Sequence, residues 1–426
     1  MTKTISSQAL QNLIEDKQEF ALLDIRDLAD FVKGHLWLSI NVPHTSIQHR
    51  INSYVPRPDT RVILIDQDQT LAIEVAQRLL SSGYPNLEVL LGGFDQWRQS
   101  GLPVITGDYV LAHAFGLYVN QVLATPSISA DRLMQKLAAK EDILIIDSRD
   151  PRDFQNSTLP GAKNVPIAEM VHQVPDLVND ESTQVVVHCG GVTRGVLGAQ
   201  TLVDANFPNQ VMWLLDGTGG WCMAGGELCR GETEPAKTPS DKAAAYALKT
   251  ALNLARQLSL TYLEPAELED WRGENRRRTC YLIDVRSREE FLAGHYPDAM
   301  NVPGGELAGM TQDHIATYNA RLCLIGDPLS ARAEITADWM LKNGWEDVVI
   351  LRNWEHRSET VVTISPGDVT QADESMSKPA DQPEPAPMSQ YQASIDNRQN
   401  IFKCFMRDRP YRFNLAASNP ASDPEI

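Results

Sequence analysis

One pattern occurs three times in this chain, and it fixes the number of folding units. The first copy reads Leu22-Leu-Asp-Ile-Arg26, then Phe31, then Asn41-Val-Pro43. The second reads Ile145-Ile-Asp-Ser-Arg149, Phe154 and Asn164-Val-Pro166. The third reads Leu282-Ile-Asp-Val-Arg286, Phe291 and Asn301-Val-Pro303. The Asp-to-Asn interval is 17 positions each time (24 to 41, 147 to 164, 284 to 301), and 42 positions from the same Asp lead to Asp66, Cys189 and Gly326. The repeat is longer than the roughly 20–50 residues of a solenoid unit, so each copy is expected to be a domain.

Each copy alternates strand-like and helix-like stretches. In the second, Ile143 to Asp147, Val185 to His188 and Val211 to Leu215 are apolar and β-rich. Ala130 to Lys140 and Gly195 to Ala205 carry a helical pattern between them. Continuous apolar strands separated by amphipathic helices predict an α/β fold, here three tandem parallel sheets with helices on both faces. Ligands of such sheets bind beyond the C-terminal strand ends, where Cys189 falls.

The segment Val185-Val-Val-His-Cys-Gly-Gly-Val-Thr-Arg-Gly195 puts one thiol between a strand and a helix. Helix N-termini gather N–H groups and a positive dipole end, so the Cys189 thiol is expected to have a lowered pKa and to react as thiolate. Gly190 and Gly191 let the backbone turn its N–H groups inward, and Val192, Thr193 and Gly195 continue an anion-binding nest. Arg194 adds a fixed charge suited to orienting an anion. In the first copy, Asp66 is expected to cap the following helix and fill that nest with its carboxylate. Gly326 leaves the third copy without a nucleophile. Asp147 and Arg149, like the pairs 24/26 and 284/286, are read as bracing ion pairs.

Together these motifs resemble the rhodanese homology domain: Asp-x-Arg, Phe, Gly-His, Asn-Val-Pro, strand–Cys-loop–helix, then Gly-Gly and Trp. Gly34-His35, Leu91-Gly-Gly-Phe-Asp-Gln-Trp97, Gly294-His295 and Asp216-Gly-Thr-Gly-Gly-Trp221 carry the likeness, over roughly residues 5 to 355. Copy two departs, with Ser157-Thr158 for Gly-His, far in sequence from the loop. The likeness is greatest to multidomain bacterial rhodaneses, which usually have a fourth copy; none is found here. It implies a sulfurtransferase working through a Cys189 persulfide with ping-pong kinetics. It further implies no metal or organic cofactor, a small anionic sulfur donor, and a thiol, cyanide or protein acceptor. Thiosulfate, mercaptopyruvate and a low-molecular-weight persulfide are all compatible donors. Related dual-specificity phosphatases have five residues between Cys and Arg; here there are four (190 to 193), which ranks phosphatase or arsenate reductase chemistry lower. A non-catalytic scaffold or sulfur carrier is the other alternative. An inactive copy is expected to wall the active pocket, with copy one beside copy two.

The expected division is 1-107 (inactive, Asp66), 125-231 (catalytic, Cys189), 259-363 (inactive, Gly326) and 364-426, a linker and mostly disordered tail. Tyr109 to Ala124 is read as a helical connector. Ser375 to Ser389 is rich in Pro, Ser and acidic residues, while Ile401 to Phe413 is basic and aromatic, read as a tail with some sticky residues, with docking on the acidic body or on a partner as the alternative. A net charge of −18 argues against nucleic acid. No secretory or membrane-spanning run is found, and six scattered cysteines without Cys-x-x-Cys suit a reducing cytoplasm. Cys280 and Cys323 are read as packing residues. Cys222, Cys229 and Cys404 are minor candidates for a second sulfur acceptor. Pro303-Gly-Gly305 is read as turn chemistry.

Overall fold

The computed structural model describes residues 2–233, 238–274, 278–327, 330–354, 388–408 and 410–415. Each copy builds one sheet in the same order. In copy two the order is Ser127–Ile128, Val211–Leu214, Gln184–His188, Ile143–Asp147, Lys163–Asn164, all parallel. In copy three it is Thr261–Leu263, Val348–Leu351, Arg321–Ile325, Cys280–Asp284, Met300–Asn301. Copy one repeats it and gains an antiparallel strand from copy three, Thr317–Tyr318, which pairs with Phe20–Asp24. The central strands are buried from their middle to their C-terminal ends, as a parallel sheet covered on both faces requires.

The 17-residue interval has a local cause. Asn164 Nδ2 donates to the carbonyls of Asp147 (3.1 Å) and Arg149 (2.8 Å), tying the short edge strand to the turn after the central one. Asn41 and Asn301 make the same two bonds in their copies. The Asp-x-Arg element is a buried ion pair in all three: Asp24–Arg26 at 2.6 Å, Asp147–Arg149 at 2.7 Å and Asp284–Arg286 at 2.6 Å. Each arginine also reaches the carbonyl of Gly34, Ser157 or Gly294, which closes the turn. These pairs brace the fold as expected.

Copy three packs on copy two, the place expected of copy one. Trp339, 1% exposed, sits in the same apolar cluster as Val187, Val196 and Leu197, and donates from Nε1 to Thr201 Oγ1 at 2.9 Å. Losing an aromatic side chain so buried typically costs about 3–5 kcal/mol. Lys342 spans the same junction to Asp204 (2.7 Å) and is held on its own helix by Asp338 (2.8 Å). The helix Gly304–Gly309 lies against Ile167: a Cβ on Gly305 would stand 3.0 Å from the Ile167 backbone nitrogen. Gly304-Gly305 therefore serve close helix packing between copies, not the turn expected of Pro303-Gly-Gly305. Copy three meets copy one through Thr279, whose hydroxyl contacts Thr60 (2.9 Å) and Glu19 (2.6 Å).

Within the expected tail, Met388–Asp408 instead form a helix of 21 residues with Ile395, Arg398, Ile401 and Phe405 buried. Its sequence is polar overall, but those four residues recur at intervals of three, three and four and give it one face to bury. Most of Ser375 to Ser389 lies outside the described residues. Among the described residues, no helix is long and apolar enough to cross a membrane.

Candidate active site

Three fully buried valines, 185 to 187, carry the strand Gln184–His188 into the sheet, and the chain turns at Cys189 into the helix Thr193–Asp204. Beneath the turn passes the next connection, Asp216-Gly217. Gly217 has φ +54°, and a Cβ there would stand 2.1 Å from the Cys189 carbonyl oxygen. Only glycine permits that approach, after which the Thr218 N–H donates to the Cys189 carbonyl at 2.9 Å. Cys189 is 3% exposed and Gly190 is exposed, so solvent reaches the loop at Gly190.

The loop residues divide by role. Cys189 Sγ accepts from the Gly191 N–H at 3.3 Å. Gly195 borders the sulfur closely; a Cβ on it would lie 3.6 Å from Sγ. The Val192 side chain turns into the core. The Thr193 hydroxyl donates to the Ala112 carbonyl at 2.9 Å, on the connector helix Val110–Leu123. The side chains of Val192 and Thr193 thus anchor the loop, leaving its backbone to face a ligand.

The same turn in copy one holds a carboxylate. Asp66 stands at the register of Cys189, and its carboxylate accepts from the amides of Gln69 (2.6 Å) and Ala72 (3.1 Å). Those positions correspond to Val192 and Gly195. The cap expected of Asp66 is therefore present. Burial pushes its carboxyl up, with the backbone bonds opposing.

Arg194 does not stand free. Its guanidinium pairs with Asp153 at 2.9 Å and with Glu306 of copy three at 2.8 Å. A Cβ on Gly309 would come within 2.6 Å of the Arg194 side chain, so a glycine opens the channel it runs through. Burial opposes its charge, but Glu306, Asp153 and the nearby Cys189 raise its pKa further.

The Ser157-Thr158 departure proves close to the reactive loop. Thr158 Oγ1 donates to Asp147 at 2.9 Å and lies 3.5 Å from His188 Nε2, next to Cys189 in sequence. Sheet pairing of Asp147 with His188 brings these residues together. Copies one and three have isoleucine where copy two has His188, and place the ring at His35 and His295 instead, stacked on Phe31 and Phe291 at 3.8 and 3.9 Å. Burial pushes His188 down, with Asp147 pulling the other way. His188 is thus a buried ring next to Cys189, overlooked because its partner Thr158 lies 30 residues away in sequence.

The C-terminal helix also reaches the loop. A Cβ on Gly191 would stand 2.9 Å from Arg398 Nη1, and one on Gly219 would stand 3.4 Å from the Tyr391 ring. Arg398 pairs with Asp216 at 3.1 Å. The elements that touch the loop are therefore the connector helix, copy three and the C-terminal helix, where copy one was expected. Cys404 lies on the same helix, partly buried against the copy-one core. Burial pushes the Cys280 thiol up to about 11 and raises Cys323 well above the ordinary range, as suits packing residues. Cys229 bonds through its backbone to Thr158, and Cys222 lies on the helix Gly217–Met223; both are part-exposed and free. Among the described residues no His, Cys, Asp and Glu group is arranged for a metal ion.

The model for the rhodanese-like domain matches residues 6–100, 129–224 and 264–353, more than half of the chain. The chain belongs to the rhodanese-like domain family. The crystal structure of thiosulfate sulfurtransferase from Pseudomonas aeruginosa matches with a TM-score of 0.78 at 33% identity, over 86% of this chain and 67% of that one. A sulfurtransferase of Allochromatium vinosum is 27% identical over 105 residues, covering 25% of this chain and 96% of the relative. The adenylyltransferase and sulfurtransferase UBA4 of Candida albicans is 29% identical over 102 residues, so the match spans only 23% of that protein.

Proposed function

We propose that this chain is a sulfurtransferase carrying sulfur on Cys189. One observation supports the reading: the strand–loop–helix turn whose Gln69 and Ala72 amides bind the Asp66 carboxylate in copy one holds, at the same register in copy two, a thiol that accepts from the Gly191 amide. A nest shaped for a carboxylate suits a persulfide anion of similar size. In the first step the Cys189 thiolate attacks the outer sulfur of an anionic donor. With thiosulfate, the S–S bond breaks, sulfite leaves with its electron pair, and Cys189 holds the persulfide. In the second step a nucleophile such as cyanide attacks the terminal sulfur, thiocyanate departs, and the thiolate returns. The amides of Gly191 to Gly195 hold the negative charge in both states. Arg194 adds its field at the sulfur while Glu306 ties it to copy three and Asp153 ties it to copy two's own helix Pro151–Asn156. Copies one and three carry no sulfur, having Asp66 and Gly326 at the nucleophile's position. Mercaptopyruvate and low-molecular-weight persulfides fit the same scheme.

Peptide mass spectrometry after incubation with thiosulfate, before and after cyanide, tests this. One added sulfur on the Cys189 peptide, removed by cyanide with release of thiocyanate, is expected. If thiosulfate, mercaptopyruvate and glutathione persulfide all leave Cys189 unmodified, the reading is wrong.

A further inference from the structure

We propose that the C-terminal helix completes the Cys189 pocket and that its Arg398 binds the anionic end of the incoming donor. The donor's identity rests on the sulfur-transfer reading; the anion site does not. The helix Met388–Asp408 packs on the connector helix and on Gly217–Met223, the two elements that flank the Cys189 loop. Arg398 lies at their meeting point and is 7% exposed. Its Nη1 donates to Ser394 Oγ at 2.9 Å and its Nη2 pairs with Asp216 at 3.1 Å. Its buried Nε has no hydrogen-bond partner among the described residues. A buried charged donor left unpaired is costly, and an acceptor oxygen supplied by a ligand would remove that cost. The guanidinium lies over Gly191, the residue whose N–H bonds Cys189 Sγ.

Two further features direct the anion to Arg398. Arg194 already holds two carboxylates, Asp153 and Glu306, whereas Arg398 holds only Asp216. His113 also has a buried unpaired ring nitrogen, Nδ1. Burial, then the charges of Arg398 and Arg194, push this histidine down to about 3, so at neutral pH it adds no charge to the pocket. Among these groups Arg398 is the cation with a donor to spare. Thiosulfate meets such a site with its sulfonate oxygens, which leaves its outer sulfur to the Cys189 side.

The test compares the full chain with R398A and R398K by two readouts. The first is alkylation of Cys189 by iodoacetamide under increasing sulfate, an unreactive anion. Sulfate should protect the unaltered chain, and R398A should need about tenfold more of it, the factor expected for one lost charge-assisted contact. The second is turnover with thiosulfate and cyanide. R398A should raise the thiosulfate KM by a similar factor with little change in the cyanide half-reaction, R398K should fall between, and millimolar guanidinium should partly restore R398A. Ile401→Ala, which loosens the helix but keeps the guanidinium, controls for a structural effect. Equal sulfate protection in R398A and the unaltered chain would overturn the proposal. So would an Ile401→Ala defect equal to that of R398A combined with no guanidinium rescue. If sulfate protection depends on Arg398 while no donor loads Cys189, the anion site stands and the sulfur-transfer reading falls.

Discussion

Copies one and two present the same loop in the same register, yet one holds a carboxylate and the other a thiol. Asp66 closes its loop with two amide bonds and a buried side chain, 2% exposed. Cys189 accepts one amide bond and lies beside an arginine where copy one has Leu71. The nest is thus a property of the strand–loop–helix fold, present whether or not chemistry follows. What distinguishes the second copy is the thiol and the charges around it: Arg194 from its own helix, Glu306 from copy three, and Arg398 from the C-terminal helix. A tandem array can therefore keep the same architecture in three copies and place the thiol and its surrounding charges in one.

The largest expected effect comes from making the second loop like the first. Cys189→Asp should fold and cap its helix as Asp66 does, holding the melting temperature within a few degrees or raising it. Persulfide loading should vanish, by mass spectrometry of the 189 peptide. A melting temperature lowered by ten degrees or more would show that the two nests are not equivalent. The reciprocal change, D66C, should give a buried thiol that thiosulfate loads far more slowly than Cys189, since Leu71 brings no charge. Next in size is Arg194→Ala, expected to lower the loading rate about 100-fold, the usual loss for one preorganised electrostatic group. Stopped-flow quantification of sulfite release would measure it. A loss under about threefold would mean that the backbone nest alone holds the charge.

These differences were unequally legible in the sequence. The Asp-to-Asn interval and the strand–Cys–loop–helix segment are local, because Asn164 reaches carbonyls in the turn after the adjacent strand and the loop is contiguous. The three-sheet architecture and the roles of Asp66 and the Asp-x-Arg pairs followed from them. Partners set by tertiary packing did not show. Glu306 lies 112 residues from Arg194, and Asp216 lies 182 from Arg398. Nothing near Arg194 announces that its charge is matched across a copy boundary. The segment Ile401 to Phe413 was readable as able to dock, but not where, since its burial depends on the surface that copy one and the connector helix present.

A smaller effect tests the exchange beneath the cysteine. Copies one and three pair a histidine with an isoleucine (His35 with Ile65, His295 with Ile325), and copy two pairs Thr158 with His188. Thr158→His alone should crowd the His188 ring, and His188→Ile alone should remove the ring beside Asp147 and Thr158. Together they restore the pattern of the other copies. A double-mutant cycle by chemical denaturation should give a favourable coupling of about 1–3 kcal/mol. Coupling near zero would mean the two positions vary independently and that His188 serves something other than packing.

The smallest expected effect concerns how copy three holds Arg194. Burial, then the negative charge of Glu306, pushes the Asp313 carboxyl up to about 6, with Arg194 and Arg50 opposing. An acid whose folded pKa exceeds its unfolded value near 4 favours the folded state while protonated. Its contribution is complete below pH 4 and is lost as pH rises through 6, since the charged form must then stay buried beside Glu306. Between pH 5 and 7 the unaltered chain should therefore lose a few degrees of melting temperature that Asp313→Asn, always neutral, keeps. Copy one's junction with copy three contains Arg50, which faces Asp313, whereas copy two's contains Arg194 and Glu306. If Asp313→Asn instead tracks the unaltered chain across this range, the carboxyl does not change its charge between pH 5 and 7 and does not set how copy three holds Arg194 with pH.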